Sequence, residues 1–247
     1  MNITMIIHPT CATSYTIVKH LHSKGLLEKV ELLSASDMGI VFKHRVWSVP
    51  WIMVNGEPVA TDPVEPGEVE GIIEGSGIEP PRDPTLRFME TVLHSAHASS
   101  LALLWGSLDP VMDEDLIKAA LRSPLTGYTA KDLDPSRIDY DEWMDKFGRA
   151  LAISFVRELW WAAEGNPPQE PPPMDELRVY VRHWLISKAS LGRAGIPLNP
   201  LKNDYSRIDS MARFLGASYK ALLRRVKREQ EAILSDELYW RILEDRL

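Results

Sequence analysis

Cysteine is almost absent from this sequence: its 247 residues include one, Cys11. A single cysteine cannot form a disulfide within the chain, which excludes a scaffold held together by such bonds. The cysteine content therefore gives no reason to expect an oxidising compartment, where disulfides form and persist. Any thiol chemistry must use one sulfur atom, so the surroundings of Cys11 are the first place to search for a site.

Long apolar runs and an excess of positive charge are missing as well. No stretch reaches the run of about 20 apolar residues that spans a membrane. The start, Met1 to Thr4, lacks the basic region of a signal peptide. The formal net charge is −7, whereas proteins that bind a phosphate backbone usually present a basic surface. The sequence therefore predicts a cytoplasmic protein whose partners are neither membranes nor nucleic acids.

Short strands and helices alternate in the first part of the chain. Ile3 to Ile7 is apolar and rich in β-branched residues, as buried strands are. A helix is predicted from Ser14 to Ser23 and a second strand from Lys29 to Leu33. Cys11 would lie at the start of that helix, where unpaired N–H groups and the helix dipole favour a thiolate. We therefore expect a thiol pKa below its ordinary value.

A hairpin and a further helix complete this region. Strands are predicted at Pro50 to Val54 and Pro58 to Ala60, because Asn55-Gly56 between them favours a tight turn. A helix is predicted from Pro66 to Glu74, since proline suits a first helical turn and Gly75 suits the position after a helix end. The pattern is a strand–helix–strand unit followed by two strands and a helix.

Two loops at strand ends carry a resemblance to a known superfamily. One is Pro9-Thr10-Cys11-Ala12-Thr13-Ser14, a Cys-x-x-Ser turn into a helix, and the other is Ser48-Val49-Pro50 before an apolar strand. With the strands between them, these loops resemble the thioredoxin and glutaredoxin superfamily over roughly the first third of the chain. The resemblance implies a cis peptide at Pro50, opposite the cysteine, and substrate contacts from Thr10, Val49 and Pro50.

The resemblance also bears on Thr61-Asp62, which precedes the helix that starts at Pro66. In glutaredoxin-like and glutathione transferase-like relatives, the matching segment helps to hold the glutamyl end of glutathione. Thr61 and Asp62 are therefore candidate substrate-binding residues. The alternative is that this polar segment only caps the helix that follows it.

Helices alone are predicted beyond a proline-rich linker at residues 78–84. The predicted helices are Thr85 to Leu104, Asp113 to Arg122, Asp139 to Glu164, Met174 to Leu191 and Tyr205 to Leu234, and Asp236 to Leu247 is expected to dock as a last one. The expected fold class is an α/β thioredoxin-like domain at 1–77 followed by an all-α domain at 85–247. This layout is similar to that of glutathione transferases, although the helical part contains no transferase motif.

The Cys-x-x-Ser pattern restricts the chemistry that Cys11 could perform. A second cysteine would resolve a mixed disulfide, whereas Ser14 can only donate a hydrogen bond to the thiolate. The resemblance therefore implies monothiol exchange or thiol-adduct chemistry, with Cys11 and Ser14 as catalytic residues. No bound cofactor is expected, and glutathione or another small thiol is the candidate co-substrate. The substrate would be a small thiol or a protein disulfide.

Two other hypotheses remain open. One is a non-catalytic thioredoxin-like interaction module that binds a protein partner through the Pro50 loop or the helical domain. The other is a glutathione transferase-like enzyme. Trp47 and Trp51 flank Pro50 and could form either a groove wall or part of the core.

Histidines and basic residues elsewhere suggest no further site. His94 and His97 are three residues apart on a predicted helix, but no second pair with ligand spacing accompanies them, so no metal site is predicted. A basic cluster on the last long helix is interleaved with acidic residues and is predicted to be solvated surface. It comprises Lys220, Arg224, Arg225, Lys227 and Arg228.

Overall fold

The structure, a computed structural model, describes residues 1–76, 78–190 and 205–247. The predicted domain limit at Gly77 and the predicted helix end at Leu191 lie outside the described residues. In the part of the chain that is described, a small mixed sheet near the N-terminus is followed by a mostly helical region. This arrangement agrees with the predicted order of an α/β part followed by a helical part.

The elements have the following limits. The strands are β1 (Ile3–Ile7), β2 (Glu31–Ser34), β3 (Trp51–Val54) and β4 (Glu57–Thr61). The helices are α1 (Ala12–Ser23), α2 (Met38–Lys43), α3 (Pro66–Glu74), α4 (Pro84–His94), α5 (Ala96–Trp105), α6 (Glu114–Leu121), α7 (Ser123–Thr126), α8 (Tyr140–Ala162), α9 (Met174–Ser190), α10 (Tyr205–Leu234) and α11 (Glu237–Arg246).

The sheet has the strand order β2-β1-β3-β4. β1 pairs with β2 in parallel and with β3 in antiparallel register, and β3 pairs with β4. All five residues of β1 are buried, which explains its continuous apolar sequence. Asn55 and Gly56 both adopt positive φ between β3 and β4, as a two-residue type I′ turn requires. The predicted hairpin is therefore confirmed.

The described residues form two compact units. We call Met1–Ser95, Met112–Arg137 and Ala232–Leu247 the α/β unit, and Ala96–Val111 with Ile138–Glu231 the helical unit. Both units are made from discontinuous stretches of chain. The predicted domain limits, 1–77 and 85–247, stay a prediction.

The prediction of one helix from Thr85 to Leu104 is wrong, because the chain leaves helical geometry at Ser95. Ser95 has φ −92° and ψ 108°, so α4 ends there. Its buried hydroxyl donates a hydrogen bond to the carbonyl of Trp47 at 2.5 Å. Serine readily bonds to backbone groups in place of helix propagation. Periodicity alone could not reveal this break, since apolar residues continue on both sides of it.

The last helix packs within the α/β unit. Ile233, Tyr239, Ile242 and Leu243 belong to the buried cluster that contains β1 and α1 side chains. Arg246, near the end of α11, donates to the carbonyl of Leu27 at 2.6 Å. One face of α11 is therefore part of the core that contains the first strand.

The helical unit has a core of apolar side chains at helical spacing. α5 packs against α8 and α9. α9 buries Leu177, Val181, Leu185 and Ala189, each four residues after the last, so one stripe of the helix faces the core. In the described chain, no helix combines the length and apolar character that a membrane span needs.

Candidate functional site

Cys11 occupies the N-cap position of α1. Its φ of −76° and ψ of 124° are extended, and its side chain makes no capping bond to the helix. Its backbone N–H donates to the carbonyl of His8 at 3.0 Å, which closes a turn before the helix. The thiol is therefore not used to cap α1 and can meet another loop.

That other loop contains Val49 and Pro50. The Cys11 Sγ donates to the carbonyl oxygen of Val49 at 3.5 Å, and the Val49–Pro50 peptide is cis, as the resemblance implied. The Cys-x-x-Ser turn and the Ser-Val-Pro loop thus meet where β1 ends and β3 begins, beside each other in the middle of the sheet, although 38 residues separate the two bonded groups. Thr10 lies in the same turn, where its hydroxyl oxygen is 3.0 Å from His8 Nδ1.

Thr61 supports the proline loop from the neighbouring strand. It pairs with Trp51 in the β3–β4 register, and its hydroxyl donates to the carbonyl of Ser48 at 3.3 Å. The Thr61 side chain is fully buried, so in this structure it braces the backbone before Val49. Trp47 and Trp51 are both buried, so they form part of the core and not the wall of a groove.

Ser14 lies on the first turn of α1 and is fully buried. Among the described residues its hydroxyl has no hydrogen-bond partner. Its amide and hydroxyl are nevertheless near enough to Sγ to lower the pKa of the Cys11 thiol. A buried hydroxyl without a partner is uncommon in folded proteins and calls for an explanation. Because the Ser14 hydroxyl is not used in another bond among the described residues, it could donate to a thiolate at Cys11.

The expected lowering of the thiol pKa is wrong for the free protein. Burial is the largest influence and raises the pKa of Cys11, and the negative charge of Asp62 raises it further. The groups at the helix start, the Ser14 amide and hydroxyl and the Thr13 amide, act in the opposite direction but do not prevail. The contact with Val49 favours the neutral thiol too, because only the protonated sulfur can donate to a carbonyl.

Asp62 follows β4 and is held by a histidine. Its Oδ2 lies 3.0 Å from Nδ1 of His94, and the Asp62 side chain is 13% exposed. The hydrogen bond to Asp62 raises the pKa of His94 above its usual value. Asp62 is therefore close enough to Cys11 to affect its ionisation, and its carboxylate already has a partner in His94. Its predicted role in substrate binding stays a prediction.

His94 and His97, three residues apart in sequence, contact different groups. His94 contacts Asp62, whereas Nδ1 of His97 lies 2.6 Å from the carbonyl of Lys188. Within residues 1–76, 78–190 and 205–247, no group of three or more metal-binding side chains is suitable for a metal ion.

Sequence reasoning missed Tyr239 in α11. Its hydroxyl donates to the carbonyl of Pro9 at 2.9 Å, across 230 residues of sequence. The pKa of Tyr239 is strongly raised, first by burial and then by the charge that Cys11 would carry as a thiolate. No motif signals this residue, because a tyrosine in a terminal amphipathic helix looks like any other core residue.

No protein-family model, curated protein or solved structure was found to match this chain. The geometry around Cys11 is therefore the basis for a functional assignment.

Proposed function

We propose that the α/β unit is a thioredoxin-like domain in which Cys11 performs monothiol exchange with a small or protein disulfide. The observation that carries this proposal is the 3.5 Å contact between Cys11 Sγ and the Val49 carbonyl oxygen. It joins a helix-terminal thiol to the backbone before Pro50, which is where the resemblance to the thioredoxin and glutaredoxin superfamily puts an extended substrate.

The exchange has two stages that Cys11 alone can support. Its thiolate attacks one sulfur of a disulfide, the S–S bond breaks, and a mixed disulfide forms while the departing thiolate takes up a proton. An external thiol then attacks the substrate sulfur of the mixed disulfide and releases the Cys11 thiolate. The electrons come from that external thiol, for which glutathione is the candidate, because Ser14 has no sulfur with which to resolve the intermediate.

Substrate binding provides a way to activate a thiol that is protonated at rest. An N–H group of an extended substrate that donates to the Val49 carbonyl would replace the thiol as donor. The neutral form of Cys11 then loses its hydrogen bond, which lowers the thiol pKa. The Ser14 hydroxyl, buried and without a partner among the described residues, would donate to the thiolate as it forms.

The test is to incubate the reduced protein with glutathione disulfide and to measure its mass. We expect one glutathione adduct on Cys11, its release by excess glutathione, and no adduct on the Cys11→Ser variant. A Ser14→Cys variant should lose the adduct without external thiol, because a second sulfur can resolve it. If the parent chain forms no adduct even at pH 9, where more of the thiol is ionised, the exchange proposal fails.

A second candidate function is that of a non-catalytic interaction module. The raised pKa of Cys11, caused first by burial, favours it, because a protonated thiol is a poor nucleophile. In this case the Val49–Pro50 loop would bind a partner through its backbone, and neither glutathione disulfide nor a small test electrophile would modify Cys11 in the presence of that partner. A transferase-like enzyme would instead be distinguished by turnover of the electrophile with glutathione.

A further inference from the structure

The turn that carries Cys11 is bound by the far end of the chain. The carbonyl of Pro9, two residues before Cys11, accepts a hydrogen bond of 2.9 Å from the Tyr239 hydroxyl. The turn has internal bonds as well, from the Cys11 amide to the His8 carbonyl at 3.0 Å. Tyr239 is thus the contact through which α11 holds the backbone that leads to the thiol.

Tyr239 itself is fixed in one orientation. Its side chain is fully buried, and its ring packs edge-on against Tyr15, with centroids 4.9 Å apart, and against Trp240 at 5.6 Å. Its amide donates to Asp236, the N-cap of α11, at 3.0 Å. The phenol therefore meets Pro9 from a rigid position, since ring, backbone and helix start are all constrained.

Asp236 fastens the start of α11 to α1. Its carboxylate accepts a hydrogen bond of 2.7 Å from the Tyr15 hydroxyl and forms an ion pair with Lys19. Lys19, the Tyr239 amide and Tyr15 lower the pKa of Asp236 to about 2, so the carboxylate is charged at neutral pH. The same short helix that follows Cys11 is thus held against α11 at two positions one turn apart.

We propose that Tyr239 is a positioning residue of the thiol site, which holds the Pro9 to Cys11 turn so that the sulfur stays in contact with the Val49 carbonyl oxygen. The inference depends on the proposed function only for what the thiol does, and not for where the sulfur lies. It assigns α11 a part in the site in addition to its place in the core. Loss of the Tyr239 hydroxyl would free the Pro9 carbonyl, loosen the turn and let the sulfur leave this contact.

The test is the pH profile of Cys11 alkylation by iodoacetamide in the Tyr239→Phe variant. Tyr219→Phe is the matched control, because it also removes a buried tyrosine hydroxyl that donates to a proline carbonyl, that of Pro168 at 2.8 Å, but it leaves the bond to Pro9 in place. We expect the thiol pKa to fall by about one in Tyr239→Phe, which means a roughly tenfold larger thiolate fraction at pH 7. We expect little change in Tyr219→Phe. Equal shifts in the two variants, or no shift in either, would overturn the inference.

A second measurement uses the unaltered chain, in case Tyr239→Phe does not fold. NMR of ring-labelled tyrosines before and after alkylation of Cys11 should show the larger shift at Tyr239, with a smaller one at Tyr15. A Tyr239 chemical shift that does not change on alkylation of Cys11 would contradict the positioning role.

These results are separable from those for exchange. A shifted pH profile without a glutathione adduct would leave Tyr239 as a positioning residue and reject the proposed function, whereas an adduct with an unshifted profile would do the reverse.

Discussion

The two units differ in how often a described side chain holds a carbonyl group of a loop. In the α/β unit, several side chains do so: Tyr239 binds Pro9, Cys11 binds Val49, and Arg122 binds Pro63 at 2.8 Å. In the helical unit, Tyr219 binds the Pro168 carbonyl at 2.8 Å, and ion pairs join neighbouring helices, such as Arg157 with Glu229 at 2.9 Å. The reason is physical, because a helix satisfies most of its own carbonyls whereas an irregular loop does not.

This difference shows where a site can be built. Loops carry the backbone groups that a ligand could meet, and they keep a defined shape only when other groups hold them. The turn at Cys11 and the loop at Val49–Pro50 are both held by buried side chains, from Tyr239 and Thr61 respectively. The α/β unit thus combines the thiol of Cys11 with a fixed backbone around it.

The largest expected effect tests whether α11 belongs to the α/β core. Leu243→Ala should reduce the free energy of unfolding by about 2–5 kcal/mol, because Leu243 is 4% exposed and its loss leaves a cavity. Leu238→Ala in the same helix is the control, since Leu238 is 47% exposed. Hydrogen exchange should quicken at β1 amides in the Leu243 variant. Faster exchange at α8 amides alone would break the assignment of α11 to the α/β unit.

The next effect compares one arginine from each unit. Arg122 is 2% exposed and donates to the carbonyls of Ala119, Ala120 and Pro63. Arg122→Met should lower the free energy of unfolding, measured in urea, by about 2–3 kcal/mol, because buried carbonyls lose their donors and Glu68 loses its ion-pair partner. Arg157→Met in the helical unit should cost about 1 kcal/mol or less, since that ion pair is partly exposed. Equal losses of unfolding free energy in the two variants would contradict the contrast between the units.

Acid should reveal the contribution of Asp236. Its pKa is lowered to about 2, first by the hydrogen bond from Lys19, so the charged form stabilises the folded state. This contribution is complete above the unfolded value of about 3.9 and is lost as pH falls through about 2. Asp236→Asn should therefore cost about 1–2 kcal/mol at pH 7, allowing for solvent screening, and almost nothing at pH 2. An unfolding difference that does not depend on pH would contradict this account.

The smallest effect concerns Asp62, whose charge raises the pKa values of both His94 and Cys11. Asp62→Asn should lower both, as measured by NMR titration of His94 and by alkylation of the thiol. Glu90→Gln is a matched control, because Glu90 raises the pKa of His94 but is not among the influences found on Cys11. If the pKa of the Cys11 thiol is the same in Asp62→Asn as in the parent chain, Asp62 lies outside the site.

The pair formed by Asp62 and His94 makes the stability of the fold depend on pH. The pKa of His94 is raised in the folded state, so its contribution is present below the unfolded value of about 6.5 and is lost as pH rises through the raised value. His94 is about half exposed, and we expect only a small change in unfolding midpoint between pH 6 and pH 8. His94→Gln should abolish that change.

Local signals predicted much of the α/β fold and the meeting of its two loops. Asn55-Gly56 indicated its hairpin, and Pro66 with Gly75 marked the limits of α3, because these residues restrict or free the backbone at the position they occupy. The resemblance put Cys11 opposite Pro50, where the structure has it.

Contacts between distant segments were beyond reach of the sequence. The break at Ser95 depends on a bond to the Trp47 carbonyl, and the role of Tyr239 depends on α11 packing beside α1. The predicted direction of the shift in the Cys11 pKa was wrong for the same reason. Groups at a helix start can be inferred from local sequence, whereas burial depends on distant segments.

The most direct test of the central claim compares two reactions of Cys11 at pH 7. The rate of mixed-disulfide formation with glutathione disulfide is divided by the rate of alkylation with iodoacetamide, and the same ratio is measured for a small free thiol. If an extended disulfide activates Cys11 by taking the Val49 carbonyl, the ratio for the protein will be at least about tenfold higher, as a thiol pKa lower by one implies. A ratio equal to or below that of the free thiol would show that the site gives no assistance, and the exchange account would be wrong.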